Sequence, residues 1–185
     1  RPDWDNFVAS HSLGNIHQTS RWGEFQAARG SGWGYWIIGV FAGGKLAGGA
    51  LVLRRRLPAG RSWLYIAKGP LLKESAIAAD EQLKALLKAI RELAKAEKAL
   101  FLRVEPAGVL QGPPDFGERG EPNWQNFGFK PAHAHYQPEH SLVVDLRPGE
   151  EQILAQMKPK GRYNIKVAQK KGVEVLVAGE AGGPT

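Results

Sequence analysis

The alternation of apolar and polar positions predicts a group of short strands in the first third of the chain. A strand over Tyr35–Phe41, a two-residue turn at Gly43-Gly44 and a returning strand over Lys45–Arg56 have the pattern of a hairpin. The Pro58–Gly60 turn then leads into a third strand over Ser62–Ile66. Hairpins at this spacing predict an antiparallel meander.

Two helices are predicted from apolar positions that recur three and four residues apart. The longer one lies within residues 75–98, and its apolar face carries Leu83, Leu86, Leu87, Ile90, Leu93 and Ala94. A shorter helix begins at Thr19 or Ser20, and its spacing turns Trp22 and Phe25 inward.

The second half of the chain predicts fewer strands and more helix. In chain order we predict a strand over Ala99–Val104, a helical turn over Trp124–Phe129, a strand over Ser141–Leu146, a helix over Glu150–Met157, a basic helix from Lys158 that stops at Gly172, and a strand over Val173–Val177. Together with the meander, these elements indicate an α/β (α+β) fold, with a mostly antiparallel sheet flanked by helices.

Composition and charge narrow the possible functions. The 185 residues are 43% hydrophobic and 23% charged, which is typical of a globular protein rather than a disordered one. There is no cysteine, which excludes disulfides, thiolate metal sites and cysteine nucleophiles and fits a reducing compartment. A formal net charge of +7 favours partners that carry phosphate.

Most of that charge comes from one segment near the end of the chain. Residues 152–173 hold six basic side chains and no acidic one. Arg162 stands at the start of the predicted helix, where a cation opposes the helix dipole, so we expect it to bind an anion such as a diphosphate. We expect Lys166, Lys170 and Lys171 to face solvent, and the Arg54–Arg56 run to be a solvated strand end.

Candidate catalytic residues are few. Glu105 ends an apolar strand just before Pro106, where a carboxylate could act as a general base or orient an amine. The alternative is a structural ion pair with Arg103. His133, His135 and His140 lie in a proline-containing segment without an accompanying acidic triplet, so we interpret them as exposed loop histidines and predict no metal site.

Six stretches, in order along nearly the whole chain, carry a resemblance to a known family. They are His17–Phe25, Tyr65–Leu72, Phe101–Pro106, Asn126–Pro131, Gln137–Leu146 and Ile153–Ile165. With these motifs the chain resembles the FemABX family, the aminoacyl-tRNA-dependent transferases that build peptidoglycan cross-bridges.

The resemblance implies a fold of two acetyltransferase-like (GNAT-like) halves. Residues 1–149 would be the first GNAT-like subdomain and residues 150–185 the truncated start of the second. The rest of the second half is expected to help form the aminoacyl-tRNA channel, so this chain alone could lack activity.

The resemblance also implies an activity. An amino acid would move from its tRNA ester to the stem-peptide amine of a peptidoglycan precursor, either lipid II or UDP-MurNAc-pentapeptide. No cofactor and no metal are expected. The protein would be cytoplasmic, with peripheral contact to the inner membrane face through lipid II.

Site residues follow from the same resemblance. Arg162 matches the basic position at the precursor's phosphates, and neutral Gln26 stands where family members often carry a lysine for those phosphates. Glu105 matches an acidic position considered for general base, although a substrate-assisted mechanism would leave it to position the amine. The remaining candidates for the cleft wall are Tyr163, Asn164, Trp22 and Tyr65, with packing as the alternative role for Trp22.

The sequence leaves two other functions open. An acyl-CoA-dependent GNAT N-acyltransferase would share the sheet, but the sequence shows no clear glycine-rich pyrophosphate turn between a strand and a helix. A non-catalytic nucleic-acid-binding domain would fit the basic charge, but the aromatic residues are not interleaved with the basic ones.

Overall fold

A four-stranded sheet, in the order β1-β2-β3-β4, is the centre of the fold. The computed structural model describes residues 1–72, 76–107, 124–138 and 144–175, and the side chains of all of these except 76–78. In chain order the α-helices and strands of the described residues are α1 (Pro2–Ser10), α2 (Ser20–Ala27), β1 (Trp33–Ala42), β2 (Lys45–Arg56), β3 (Ser62–Ala67), α3 (Ala76–Ala96), β4 (Ala99–Glu105), α4 (Glu150–Gln156) and α5 (Pro159–Lys170), and a 3-10 helix over Trp124–Phe127 confirms the predicted helical turn.

The predicted meander is confirmed as the first three strands. Gly43 and Gly44 both have positive φ, 56° and 75°, as a tight hairpin turn between β1 and β2 requires. Both β1–β2 and β2–β3 pair antiparallel. β4 pairs parallel with β3, and α3 makes the crossover that a parallel pair needs.

The main core lies between the sheet and α3. The predicted apolar stripe of the helix provides Leu83, Leu86, Leu87 and Ile90, which are at most 5% exposed. They pack against Ala50, Val52, Leu64 and Ile66 of β2 and β3. Burying a side chain of this size is worth about 1.5–3 kcal/mol, so this layer contributes substantially to the stability of the fold.

The opposite face of the sheet has a second, more aromatic cluster. Leu51, Leu53, Trp63, Tyr65 and Ala67 are buried there, and Trp22, Tyr35, Ile37 and Leu57 pack against them. Thr19 caps α2 by accepting a hydrogen bond from the backbone N–H of Trp22, which confirms the predicted helix start.

Two expectations about individual residues are wrong. Phe25 is 60% exposed rather than inward, because Trp22 and Gln26, four residues apart, are the positions of α2 that face the sheet. Arg54 is not a solvated strand end, since its side chain is only 13% exposed and it pairs with Glu97 at 2.7 Å. The sequence shows no clear pattern over residues 1–15, where the structure has α1.

The side chain of Gln18 links β2 and β3 where their backbone pairing ends. Strand pairing runs from Arg56↔Ser62 to Leu53↔Tyr65. Beyond it, the fully buried Gln18 amide accepts from Leu51 N at 2.8 Å and donates to Ala67 O at 2.7 Å. The side chain therefore replaces the backbone ladder between these two strands.

The chain divides into two compact units, Arg1–Glu139 and His140–Thr185. The second unit contains α4 and α5, close to the predicted helices, and Gly172 with positive φ of 74° follows α5. Lys166, Lys170 and Lys171 are exposed, as expected. Residues 144–146 and 173–175 are not in strands. The rest of the two strands predicted there, residues 141–143 and 176–177, lies outside the described residues, and the assignment of residues 1–149 and 150–185 to two subdomains stays a prediction.

Candidate functional site

A cleft of about 240 Å³ lies on the aromatic face of the sheet, within the first unit. Its lining comes from α2, the turn after α2, the strands β1, β2 and β3, and residues 136–137: Trp22, Gln26, Arg29, Trp33, Leu53, Arg55, Trp63, Tyr65, Ala67, Tyr136 and Gln137. The structure thus brings together three of the predicted site residues, Trp22, Gln26 and Tyr65. Within the part of the chain that the structure describes, no aspartate or glutamate lines the cleft.

Helix α2 lies close against β1, which is why its side chains reach the cleft. A Cβ on Gly23 would come within 2.3 Å of the Tyr35 ring, so only glycine allows this approach. Trp22 packs edge-on against His17, with ring centres 4.8 Å apart. Burial and the nearby Lys68 lower the pKa of His17, so a neutral imidazole faces Trp22.

Gln26 is buried and already occupied. It is 6% exposed, and its Oε1 accepts a hydrogen bond from Arg29 Nη1 at 3.1 Å. The guanidinium of Arg29 lies over the Trp33 ring, 4.6 Å from its centre, and that of Arg55 lies 5.2 Å from the same centre. Two cations therefore share one aromatic ring at the wall of the cleft.

Glu105 lies at the end of β4 with every acceptor position engaged. Its Oε1 accepts from Arg103 Nη2 at 2.7 Å, from Arg103 Nε at 3.1 Å and from the backbone N of Tyr136 at 2.6 Å. Its Oε2 accepts from the Tyr65 hydroxyl at 2.5 Å and from the backbone N of Gln137 at 3.0 Å. A carboxylate has about four lone-pair sites, so Glu105 is saturated.

These bonds decide the protonation states of the two side chains. Burial raises the pKa of Glu105, but the hydrogen bonds from Tyr136 N, Tyr65, Arg103 and Gln137 N outweigh it and hold that pKa below its ordinary value. Burial and the hydrogen bond to Glu105 raise the pKa of Tyr65 well above its ordinary value. At neutral pH the pair is a carboxylate that accepts from a neutral phenol.

The same bonds hold the segment around Tyr136 against the cleft. The Tyr136 ring lies 5.6 Å from Trp63 and 5.8 Å from Tyr65, and the Arg103 guanidinium lies 4.8 Å from its centre. Arg103 also donates to the carbonyl of Ala134. Sequence reasoning missed Tyr136, since a tyrosine in a polar, proline-containing stretch has no periodicity that would mark it.

The three other predicted residues are in the second unit, in the first turns of α5. Arg162 Nη1 donates to the carbonyls of Ala155, at 3.2 Å, and of Met157, at the end of α4. Tyr163 is 66% exposed and Asn164 is exposed. The position of Arg162 near the start of α5 is therefore explained within this unit, because its guanidinium donates to carbonyl groups that the end of α4 leaves without helical partners.

The sequence model of the FemAB family matches residues 1–180. The chain belongs to the FemAB family. It is 28% identical over 179 residues to the lipid II:glycine glycyltransferase of Staphylococcus aureus, an alignment that covers 92% of this chain and 40% of that enzyme. The crystal structure of FemX is similar with a TM-score of 0.68 and 25% sequence identity, over 92% of this chain and 42% of the FemX chain. The chain therefore spans about two fifths of the length of these relatives.

The similarity to FemX confirms the predicted fold class of this FemAB-family chain. A mixed α+β domain with a four-stranded sheet flanked by helices fits the GNAT-like fold. The predicted roles of the site residues stay predictions, because shared fold does not fix the role of a side chain.

Other surfaces of this FemAB-family chain offer less to a polar substrate. A hollow of about 710 Å³ runs along β4, but most of its lining is apolar and it contains none of the predicted site residues. Among the described residues, no group of three histidine or acidic side chains could hold a metal ion. His133 and His135 are exposed, as predicted, and His140 lies outside the described residues. None of the helices in the described part is long and apolar enough to cross a membrane.

Proposed function

We propose that this chain is part of an aminoacyltransferase that moves an amino acid from an aminoacyl-tRNA to the stem-peptide amine of a peptidoglycan precursor. The observation that carries the proposal is the cleft lined by Trp22, Arg29, Arg55 and Tyr65 in a chain of the FemAB family. Aromatic walls with cations and no lining acid suit a sugar-containing anion.

The reaction needs two substrates held in register more than it needs a protein nucleophile. The precursor amine attacks the ester carbonyl of the aminoacyl-tRNA, a C–N bond forms, and the ester C–O bond breaks. The amine loses a proton and the ribose oxygen of the tRNA gains one. Positioning of this kind can supply about 7–11 kcal/mol of the barrier.

We assign Glu105 a positioning role in this reaction. Its carboxylate already accepts five hydrogen bonds and has a lowered pKa, so it has little affinity for a proton from the amine. It instead holds Tyr65 and Tyr136 at the cleft. The proton then passes directly between the substrates, in a substrate-assisted step.

Lipid II is the precursor we favour, because the Staphylococcus aureus relative carries lipid II in its name. The neutral Gln26 does not distinguish a lipid-linked from a soluble precursor. A lipid-linked substrate would bring the protein to the membrane surface as a peripheral protein.

The test is a transfer assay with the protein in its full natural length. Glycyl-, alanyl- and seryl-tRNA are each combined with lipid II or with UDP-MurNAc-pentapeptide, and the modified precursor is detected by mass spectrometry. We expect transfer with one of these tRNAs, and faster transfer to lipid II. Absence of transfer in all six combinations would contradict the proposal, and transfer from acetyl-CoA would replace it with the acyl-CoA alternative.

A further inference from the structure

We propose that Arg29 and Arg55, which share the Trp33 ring, form a clamp for the diphosphate of the precursor, and that Gln26 acts only by orienting Arg29. The inference rests on the proposed function, since it names the part of the precursor that this end of the cleft holds. It adds Arg29 and Arg55 to the residues that contact the phosphates, a role that the sequence did not indicate for either of them.

The local structure brings both arginines to the same indole ring. Arg55 on β2 is the cross-strand partner of Trp33 on β1, and the Arg29 guanidinium lies over the same indole. Cross-strand neighbours are close enough for such contacts. The ring therefore limits the directions that both long side chains can take, which lowers the entropy lost when an anion binds.

Both guanidinium groups keep donors for a ligand. Arg29 gives one hydrogen bond, to Gln26, and neither arginine forms an ion pair within the part of the chain that the structure describes. Arg54, the neighbour of Arg55 on the other face of β2, does pair with an acid, Glu97. Arg29 and Arg55 therefore both contact the Trp33 ring, and no acid among the described residues pairs with either of them.

Gln26 itself is badly placed to bind the anion. Its side chain is buried and its Oε1 already accepts from Arg29 Nη1 at 3.1 Å. An amide oxygen attracts a guanidinium without neutralising it. Gln26 can thus fix the direction of Arg29 and leave its positive charge available.

The chemistry of the pair points to a diphosphate. A guanidinium binds phosphate oxygens through two parallel N–H donors, and two such groups match a ligand with two adjacent phosphates. A diphosphate linked to the sugar is present in both UDP-MurNAc-pentapeptide and lipid II. The competing ligand chemistry is the carboxylate of the stem peptide, which the test must separate.

The test measures precursor binding by the full-length protein and by single variants. The probes are UDP-MurNAc-pentapeptide, a short-chain lipid II and the free stem pentapeptide, each followed by calorimetry. We expect Arg29→Ala and Arg55→Ala each to weaken binding of both diphosphate probes about tenfold, the loss expected for one charge-assisted contact. Binding of the free peptide should not change.

Arg56→Ala is the matched control. It removes the same charge from the adjacent residue, whose side chain points to the other face of β2, and binding should fall less than twofold. Equal losses in Arg55→Ala and Arg56→Ala would show a general charge effect and overturn the clamp. Loss of peptide binding in the arginine variants would overturn it in favour of carboxylate recognition, and wild-type protein that binds neither diphosphate probe would also overturn it.

A double-mutant cycle tests the role of Gln26. Gln26→Leu should weaken binding in the wild-type background and have no further effect in the Arg29→Ala background. Additive losses would mean that Gln26 contacts the ligand itself. Melting temperatures of all variants, followed by circular dichroism, check that the fold is intact.

The clamp and the proposed function can fail separately. Transfer by wild-type protein with an unchanged precursor KM in both arginine variants would overturn the clamp alone. Arginine-dependent binding of the diphosphate probes without any transfer would support the clamp and count against the aminoacyltransferase.

Discussion

The hydrogen bonds of Glu105 distinguish between two roles that the sequence leaves open, a general base and a structural partner of Arg103. The side chain is 10% exposed, lies at a strand end, and accepts from Arg103, Tyr65 and two backbone N–H groups. A general base must have an accessible lone pair and some affinity for a proton. Glu105 has neither, so its contribution is to order the side chains of the cleft.

Replacing Glu105 by glutamine should destabilise the protein and do so in a pH-dependent way. The amide puts a donor against the Tyr65 hydroxyl or a backbone N–H and removes the charge that Arg103 faces. We expect the free energy of unfolding to fall by about 2 kcal/mol at pH 7, the range of hydrogen bonds to charged groups. Urea denaturation of the two proteins at several pH values measures the difference.

The sign of the pH dependence follows from the lowered pKa of Glu105. The stabilisation is complete above the ordinary pKa near 4.5 and is lost as pH falls from there towards the folded-state pKa. The difference in the free energy of unfolding between wild type and Glu105→Gln should therefore become smaller below about pH 4.5. A gap that stays constant down to pH 3 would show that the charge of Glu105 contributes nothing.

At the scale of elements, the side chain of Gln18 takes the place of strand pairing. Its amide lies between Leu51 N and Ala67 O, and its backbone carbonyl accepts from Trp4 Nε1 at 2.6 Å. A Cβ on Gly69 would come within 2.6 Å of the same amide, so the glycine leaves the space for it. One residue, through its backbone carbonyl and its side chain, thus ties α1 to two strands.

Replacing Gln18 by leucine should therefore destabilise the protein far more than the same replacement of an exposed glutamine. Leucine fills a similar volume but leaves a buried N–H and a buried carbonyl without partners, at about 1–3 kcal/mol each. We expect a loss of about 3 kcal/mol in the free energy of unfolding, measured by chemical denaturation. Gln169→Leu on the exposed surface of α5 is the control, with a change within about 0.5 kcal/mol. Similar effects in both variants would contradict this account of the gap between β2 and β3.

The same elements show what could be predicted from the sequence and what could not. The hairpin and α3 were predictable because turn glycines and a repeated apolar spacing are local signals. The parallel pairing of β4 with β3 and the insertion of Gln18 are contacts between distant residues, which no local pattern encodes. Arg54 was misjudged because its partner, Glu97, is 43 residues away.

At the scale of the whole molecule, part of the candidate site could be read from the sequence. The family resemblance named Trp22, Gln26 and Tyr65, which meet at one cleft. It could not give Arg29, Arg55 and Tyr136, because their place there depends on the pairing of β1 with β2 and on the hydrogen bonds of Glu105. A buried glutamine and an exposed one also look alike in a sequence.

A net charge of +7 attracts any anion to this molecule, so a specific role for Arg162 requires comparison with another cation of α5. We predict that Arg162→Ala weakens precursor binding about tenfold, while Lys170→Ala, which removes the same charge from an exposed position, weakens it less than twofold. Calorimetry in low and high salt separates a contact from the general field, since only the field is strongly screened. Because Arg162 also donates to Ala155 and Met157, the melting temperature of each variant must be measured. Equal losses of affinity in the two variants would leave Arg162 with a structural role at the corner between α4 and α5.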